Sequence, residues 1–213
     1  KVNETEDTEA GAYQFVTVGI RHATLSHLVY AWLTPFTDIR SAKETTGGST
    51  DAEFMRINQF YMQTSQNMAK YQGLKTAGKD IELKYLGVYV LTVTDNSTFK
   101  GILNIADTVT AVNDKTFDSS KDLVDYVNSQ QLGDTVKVTY EEDGKVKSAE
   151  GKIITLENGK NGIGIGLIDR TEVTSDVPIH FSTAGIGGPS AGLMFSLAIY
   201  TQIADPGLRN GRI

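Results

Sequence analysis

Residues 188–192 read Gly-Pro-Ser-Ala-Gly and lead straight into the apolar run LMFSLAIYTQIA. A serine between two glycines, with proline at the first turn of a helix, sets its hydroxyl where unpaired N–H groups and the helix dipole stabilise a developing oxyanion. Gly188, Ala191 and Gly192 are small enough for a substrate backbone to come close. The chemistry suggested for Ser190 is nucleophilic attack on a carbonyl, which requires a base. Proline and serine are also ordinary residues at a helix start, so the pentapeptide alone does not decide. Residues 191–213 contain neither lysine nor histidine.

That gap argues against the hydrolase pattern in which an acid and then a histidine follow a G-x-S-x-G serine along the chain. The serine is also preceded by a glycine-rich loop, TAGIGG, where that pattern has a strand. Three histidines exist, His22, His27 and His180, and each reads as a surface or strand residue unless the fold brings it to the serine. GIGIG at 162–166 lacks the continuation into a helix and the acidic residue that a nucleotide loop needs. Glu141, Glu142 and Asp143 fall at a hairpin turn and read as a solvated loop, so no metal site and no cofactor is expected.

Composition sets wider bounds. The 213 residues are 39% hydrophobic and 22% charged, ordinary values for a chain with a sizeable core. A formal charge of -6 gives no basic footprint for nucleic acid. With no cysteine, disulfides and thiolate chemistry are excluded. No stretch reaches the roughly 18 consecutive apolar residues of a membrane helix.

The elements that must position Ser190 come next. AYQFVTVGI at 12–20 alternates like a half-buried strand. Leu25, Leu28, Val29, Trp32 and Leu33 form one helical stripe, expected in the core and ended by Pro35. Thr50 and Glu53 make a capping box for a helix reaching about Gln72, with Phe54, Ile57, Tyr61 and Met68 on its apolar face. After a polar connector the pattern turns to short strands. IELKYLGVYVLTVT suggests two strand segments meeting at Gly87, and another strand covers 109–112. A helix capped by Ser119 or Ser120 carries Leu123, Val124 and Val127 inward and stops before Gly133. Asp143-Gly144 joins two alternating strands in a hairpin. GIGIGLI and VPIHF are expected strands, and a last helix begins at Pro189 or Ser190.

The stretch Y-L-G-V, then ILNIADTVTAVNDKTFDSSKDLVDYV, resembles a PDZ domain of the kind attached to bacterial proteases. It departs at Ala106 and Asp114, where glycine is usual. The resemblance implies that Tyr85, Leu86, Gly87 and Val88 form a loop presenting N–H groups to a peptide carboxylate, with Leu123 and Val127 of the helix lining the groove. VPIHFSTAGIGGPSAGLMFSLAIYTQ in turn resembles the active-site segment of Lon-type serine peptidases. Together the two resemble the membrane-anchored PDZ-Lon peptidases of Gram-positive bacteria, over most of the chain from residue 13 onward.

The fold class implied is α+β: a Lon-type proteolytic domain, built from an N-terminal strand and helices plus a C-terminal strand, loop and helix, with a PDZ domain inserted. Expected divisions are a flexible segment at 1–12, the first part of the Lon-like domain at 13–80, the PDZ domain at 81–160 and the serine segment at 161–213. The resemblance also implies a Ser-Lys dyad, with Ser190 as nucleophile and a lysine beyond Ile213 as base. Ile186, Gly187, Gly188 and Pro189 would form the oxyanion and substrate loop. Peptide or protein substrates, no nucleic acid, and a location on the extracellular side of a membrane through an N-terminal anchor complete the expectation. The alternative is a catalytically incomplete PDZ scaffold.

Overall fold

The structure, a computed structural model, describes residues 1–8, 10–35 and 37–209. Helix α1, Leu25–Leu33, opens at Thr24, whose hydroxyl accepts from the His27 N–H while the His27 ring accepts from the Thr24 N–H. Its apolar stripe is not core: Trp32 is 84% exposed and no residue of the helix is buried. Periodicity fixes which face of a helix is apolar, and only a second surface can bury it. The alternating segment 12–20 likewise forms no strand, and Val16 is 87% exposed. An extended segment becomes a strand only when a neighbour takes its hydrogen bonds, and this one has no such neighbour among the described residues.

A short helix α2, Ala42–Thr46, absent from the sequence reading, is held by a Ser41–Glu44 capping box. Helix α3, Asp51–Thr76, starts at the Thr50–Glu53 capping box that the sequence indicates. It runs past Gly73 instead of stopping near Gln72. Its buried residues are Met62, Ala69, Gly73 and Leu74, whereas Met68 is partly exposed. Gly73 stays helical because α5, Gly192–Ile203, crosses there: a Cβ on Gly73 would lie 2.8 Å from Ile199 Cβ.

Strands β1 (Glu82–Val93), β2 (Thr108–Val112), β3 (Thr135–Glu142), β4 (Lys145–Lys152) and β7 (Ile165–Thr174) form one sheet in the order β4-β3-β2-β1-β7, antiparallel throughout. Between β2 and β3, helix α4 (Ser120–Asn128) is capped by the Ser119 hydroxyl. It turns Leu123 and Val127 onto a core of Val88, Val90, Phe99, Val109, Val112, Val136 and Val138. Asp143 and Gly144, both at positive φ, make the β3–β4 turn, as a two-residue hairpin of right-handed twist requires. Two-residue strands β5 (Ile154–Thr155) and β6 (Asn161–Gly162) pair beside this sheet.

A second core joins α3 to α5: Ala69, Leu74 and Ile199 pack with Val2 and Ile179, and Phe181 and Phe195 lie against them. Residues 177–181, expected as a strand, contribute only an isolated bridge between Val2 and Ile179. The first residues are therefore not a free tail: Val2 is buried, and Arg209 of the 3-10 turn Pro206–Arg209 donates to Asp7 and to the Gly11 carbonyl. Among the described residues, no helix is long and apolar enough to cross a membrane.

Two glycines test this packing. Gly87 has φ +126° and would place a Cβ 2.3 Å from the Val109 carbonyl oxygen. Gly87→Ala should cost about 2 kcal/mol or more in urea unfolding, since strain and overlap add. Gly73→Val should cost about 1–3 kcal/mol by overpacking the α3–α5 contact. Wild-type midpoints for either variant would contradict the close approach described.

Candidate functional site

Ser190 sits two residues before α5, not at its first position. Ala191 is the N-cap residue and makes no side-chain capping bond, so the hydroxyl is not consumed as a cap. The loop ahead of it is fastened to α3 by backbone. The Gly188 N–H donates to the Asn58 carbonyl at 2.9 Å, and the Ser65 hydroxyl donates to the Pro189 carbonyl at 3.1 Å. Gly187 has to be glycine for this approach, because a Cβ there would stand 2.7 Å from Asn58 Cβ and 3.1 Å from its carbonyl carbon. Gln66 of α3 also donates to the Thr183 hydroxyl. The outcome is an exposed serine on a loop whose shape is dictated by one face of a helix.

The geometry sorts the expected oxyanion donors. The Ile186 N–H is taken by the Thr183 carbonyl, the Gly188 N–H by Asn58, and Pro189 has none to give. Among the described residues, the N–H groups of Gly187 and Ser190 are left without a partner, as is the Ser190 hydroxyl. No described lysine or histidine hydrogen-bonds to Ser190. His22 faces Asp51 at 2.6 Å, His27 serves the α1 cap, and the His180 backbone pairs with Lys1. Lys70, on α3, has its ammonium disfavoured by burial and lies over the Phe181 ring at 5.6 Å. Lysine on an amphipathic helix carries no sequence signal for such a setting. Ile213 lies outside the described residues.

The second expected site departs from its sequence reading. Tyr85, Leu86, Gly87 and Val88 do not form an open loop; they are part of β1, with a bulge between Tyr85 and Gly87. Tyr85 pairs with Thr171, Gly87 with Arg170, Val88 with Asp169 and Val90 with Leu167, so the free edge of β1 is taken by β7. Leu123 and Val127 are buried on α4 as the groove requires, but Ile165 and Leu167 of β7 already pack against their cluster. The Ser120 N–H, in the first turn of α4, donates to Asp169 Oδ1 at 3.0 Å. Burial and the charges of Asp169 and Asp122 push the Tyr85 phenol well above its usual range, so it stays protonated, and its oxygen has no hydrogen-bond partner among the described residues. Sequence reasoning missed the β7 contribution because alternation in GIGIGLID shows a strand without showing its neighbour.

A polar cleft of about 390 Å³ opens where α3 meets the sheet, between Arg56, Phe60, Tyr89, Asp107, Glu141 and Arg170. Phe60 stacks on Tyr89 at 4.2 Å, and Arg170 reaches Thr108 and Glu141. Glu142 pairs with Lys147 and accepts from Asn104. Asp107 accepts from the Asn104 N–H, and no group of three or more potential metal ligands occurs among the described residues.

Residues 57–153 match the family model of the PDZ domain. No curated protein matches the chain. Among solved structures, the PDZ domain of an SdrC-like protein from Listeria monocytogenes is 35% identical, over 41% of this chain and 93% of that one, with a TM-score of 0.39. That of an SdrC-like protein from Listeria innocua is 38% identical, over 38% and 92%, with a TM-score of 0.37. A Geobacillus thermodenitrificans structure is 32% identical, over 38% and 94%, with a TM-score of 0.34. Residues 57–153 are thus a PDZ domain within a mixed α and β chain.

Proposed function

We propose that this PDZ-bearing chain belongs to an ATP-independent serine peptidase of the Lon type, with Ser190 as nucleophile. The observation that carries the reading is the Ser190 loop: an exposed hydroxyl with no competing hydrogen bond, two free N–H groups beside it, and a backbone fixed to α3. In the reaction, Ser190 Oγ attacks a peptide carbonyl while a base removes its proton. The developing oxyanion accepts from the Gly187 and Ser190 N–H groups. The base then returns the proton to the leaving amine, and water releases the acyl group from Ser190. The base in this reading is a lysine beyond Ile213, its ammonium disfavoured by burial. Substrates are peptides or proteins, with short extracellular peptides the favoured class, and the enzyme works on the outer face of a membrane through an N-terminal anchor.

A peptide-binding scaffold is the second reading. It is favoured by one observation, that Ser190 has no basic partner among the described residues.

The natural gene product carrying this segment separates the two. Under the peptidase reading a fluorophosphonate labels Ser190, and Ser190→Ala abolishes labelling and lowers cleavage of a fluorogenic peptide by roughly 10³-fold or more. Undiminished cleavage by Ser190→Ala sinks the reading. Gly187→Val, which forces the loop off Asn58, should slow labelling by roughly 10²-fold while Ser190 is still present. A labelling rate equal to wild type would remove the loop from the mechanism.

A further inference from the structure

PDZ domains capture an extended peptide as an added strand, with alternate side chains seated in pockets. In this chain the place beside β1 and under α4 is filled. β7 runs antiparallel to β1 from Val93↔Ile165 to Gly87↔Arg170, the register of a docked strand. Alternation sends Ile165, Leu167 and Asp169 to one side. Ile165 and Leu167 join the cluster of Leu123 and Val127, and Asp169 presents a carboxylate to the Ser120 N–H at the head of α4. The outer edge of β7 is closed as well. Thr64 Oγ1 donates to the Asp169 carbonyl at 3.0 Å, and Asn67 Nδ2 donates to the Thr171 carbonyl at 2.7 Å, both from α3.

We propose that β7 is the PDZ domain's own ligand: residues 165–170 occupy the peptide groove, and Thr64 and Asn67 of α3 latch them in place. The groove accepts a partner only as β7 leaves it. That partner is an extended peptide with two alternating apolar side chains followed by a carboxylate, because those are the features β7 supplies. Release of β7 also frees the α3 side chains that hold it, on the same helix that fastens the Ser190 loop through Asn58 and Ser65. The inference rests on the peptide-recruitment half of the proposed function and does not depend on Ser190 being a nucleophile.

The probe is a fluorescein-labelled peptide of residues 163–168, Ile-Gly-Ile-Gly-Leu-Ile, with a free carboxylate, titrated by anisotropy into the 213-residue chain. Thr64→Ala with Asn67→Ala removes both latches and puts a strong helix former at each position, so α3 survives. The loss of two hydrogen bonds shifts the population with an open groove, and the double variant should bind roughly tenfold more tightly or better. Asp169→Ala, which releases the Ser120 contact instead, should move affinity the same way. Equal affinity for wild type and the double variant, including no binding by either, overturns the proposal. So does hydrogen exchange at residues 166–170 of the wild type as fast as in the unpaired segment 12–20. A failed Ser190→Ala test would leave both readouts unchanged, so the two ideas fail separately.

Discussion

The β1–β7 ladder is the constraint on which the rest of the chain depends. Ten paired positions, from Glu82↔Thr174 to Val93↔Ile165, close the sheet on one side and define where α3 can lie on the other. A bulge interrupts the ladder between Tyr85 and Gly87, where a Cβ on Gly87 would stand 2.3 Å from the Val109 carbonyl oxygen. Without the ladder, the open edge of β1 would present unpaired N–H and C=O groups, a state proteins ordinarily cover.

Helix α3 transmits that constraint. Along its length it meets two backbones: β7 through Thr64 and Asn67, and the serine loop through Asn58 and Ser65. Its contacts with both are hydrogen bonds to carbonyls or from a glycine N–H, which fix position more narrowly than apolar packing does. At Gly73 the helix approaches α5 closely enough to exclude any side chain. Asn58, Thr64, Ser65 and Asn67 of α3 are thus structural residues.

Sequence patterns located what depends on near neighbours. The Thr50–Glu53 and Ser119 caps, the Asp143-Gly144 turn and the inward positions Leu123 and Val127 all follow from contacts within a few residues, and the structure has each of them. Partnerships across the chain were not legible. The stripe of α1 and the alternation at 12–20 state that a face is apolar, but nothing in either names a cover, and both lie exposed. The same limit hid the fate of Y-L-G-V: its residues could be a loop or a strand, and β7, nearly eighty residues on, decides. At the serine, Gly188 and Gly192 read as room for substrate, whereas at Gly192 a Cβ would stand 2.7 Å from Ser65 Oγ of α3.

The ladder has an architectural consequence. Antiparallel partners stand about 5 Å apart, so Glu82 and Thr174 leave the sheet side by side. Everything between them is a detour that departs from and returns to one pair of neighbouring residues. Such a detour can be gained, lost or exchanged without moving its flanks, as domain insertions at closely spaced termini are. The strand pair that brackets the PDZ segment is therefore the same pair that lies beside its helix α4.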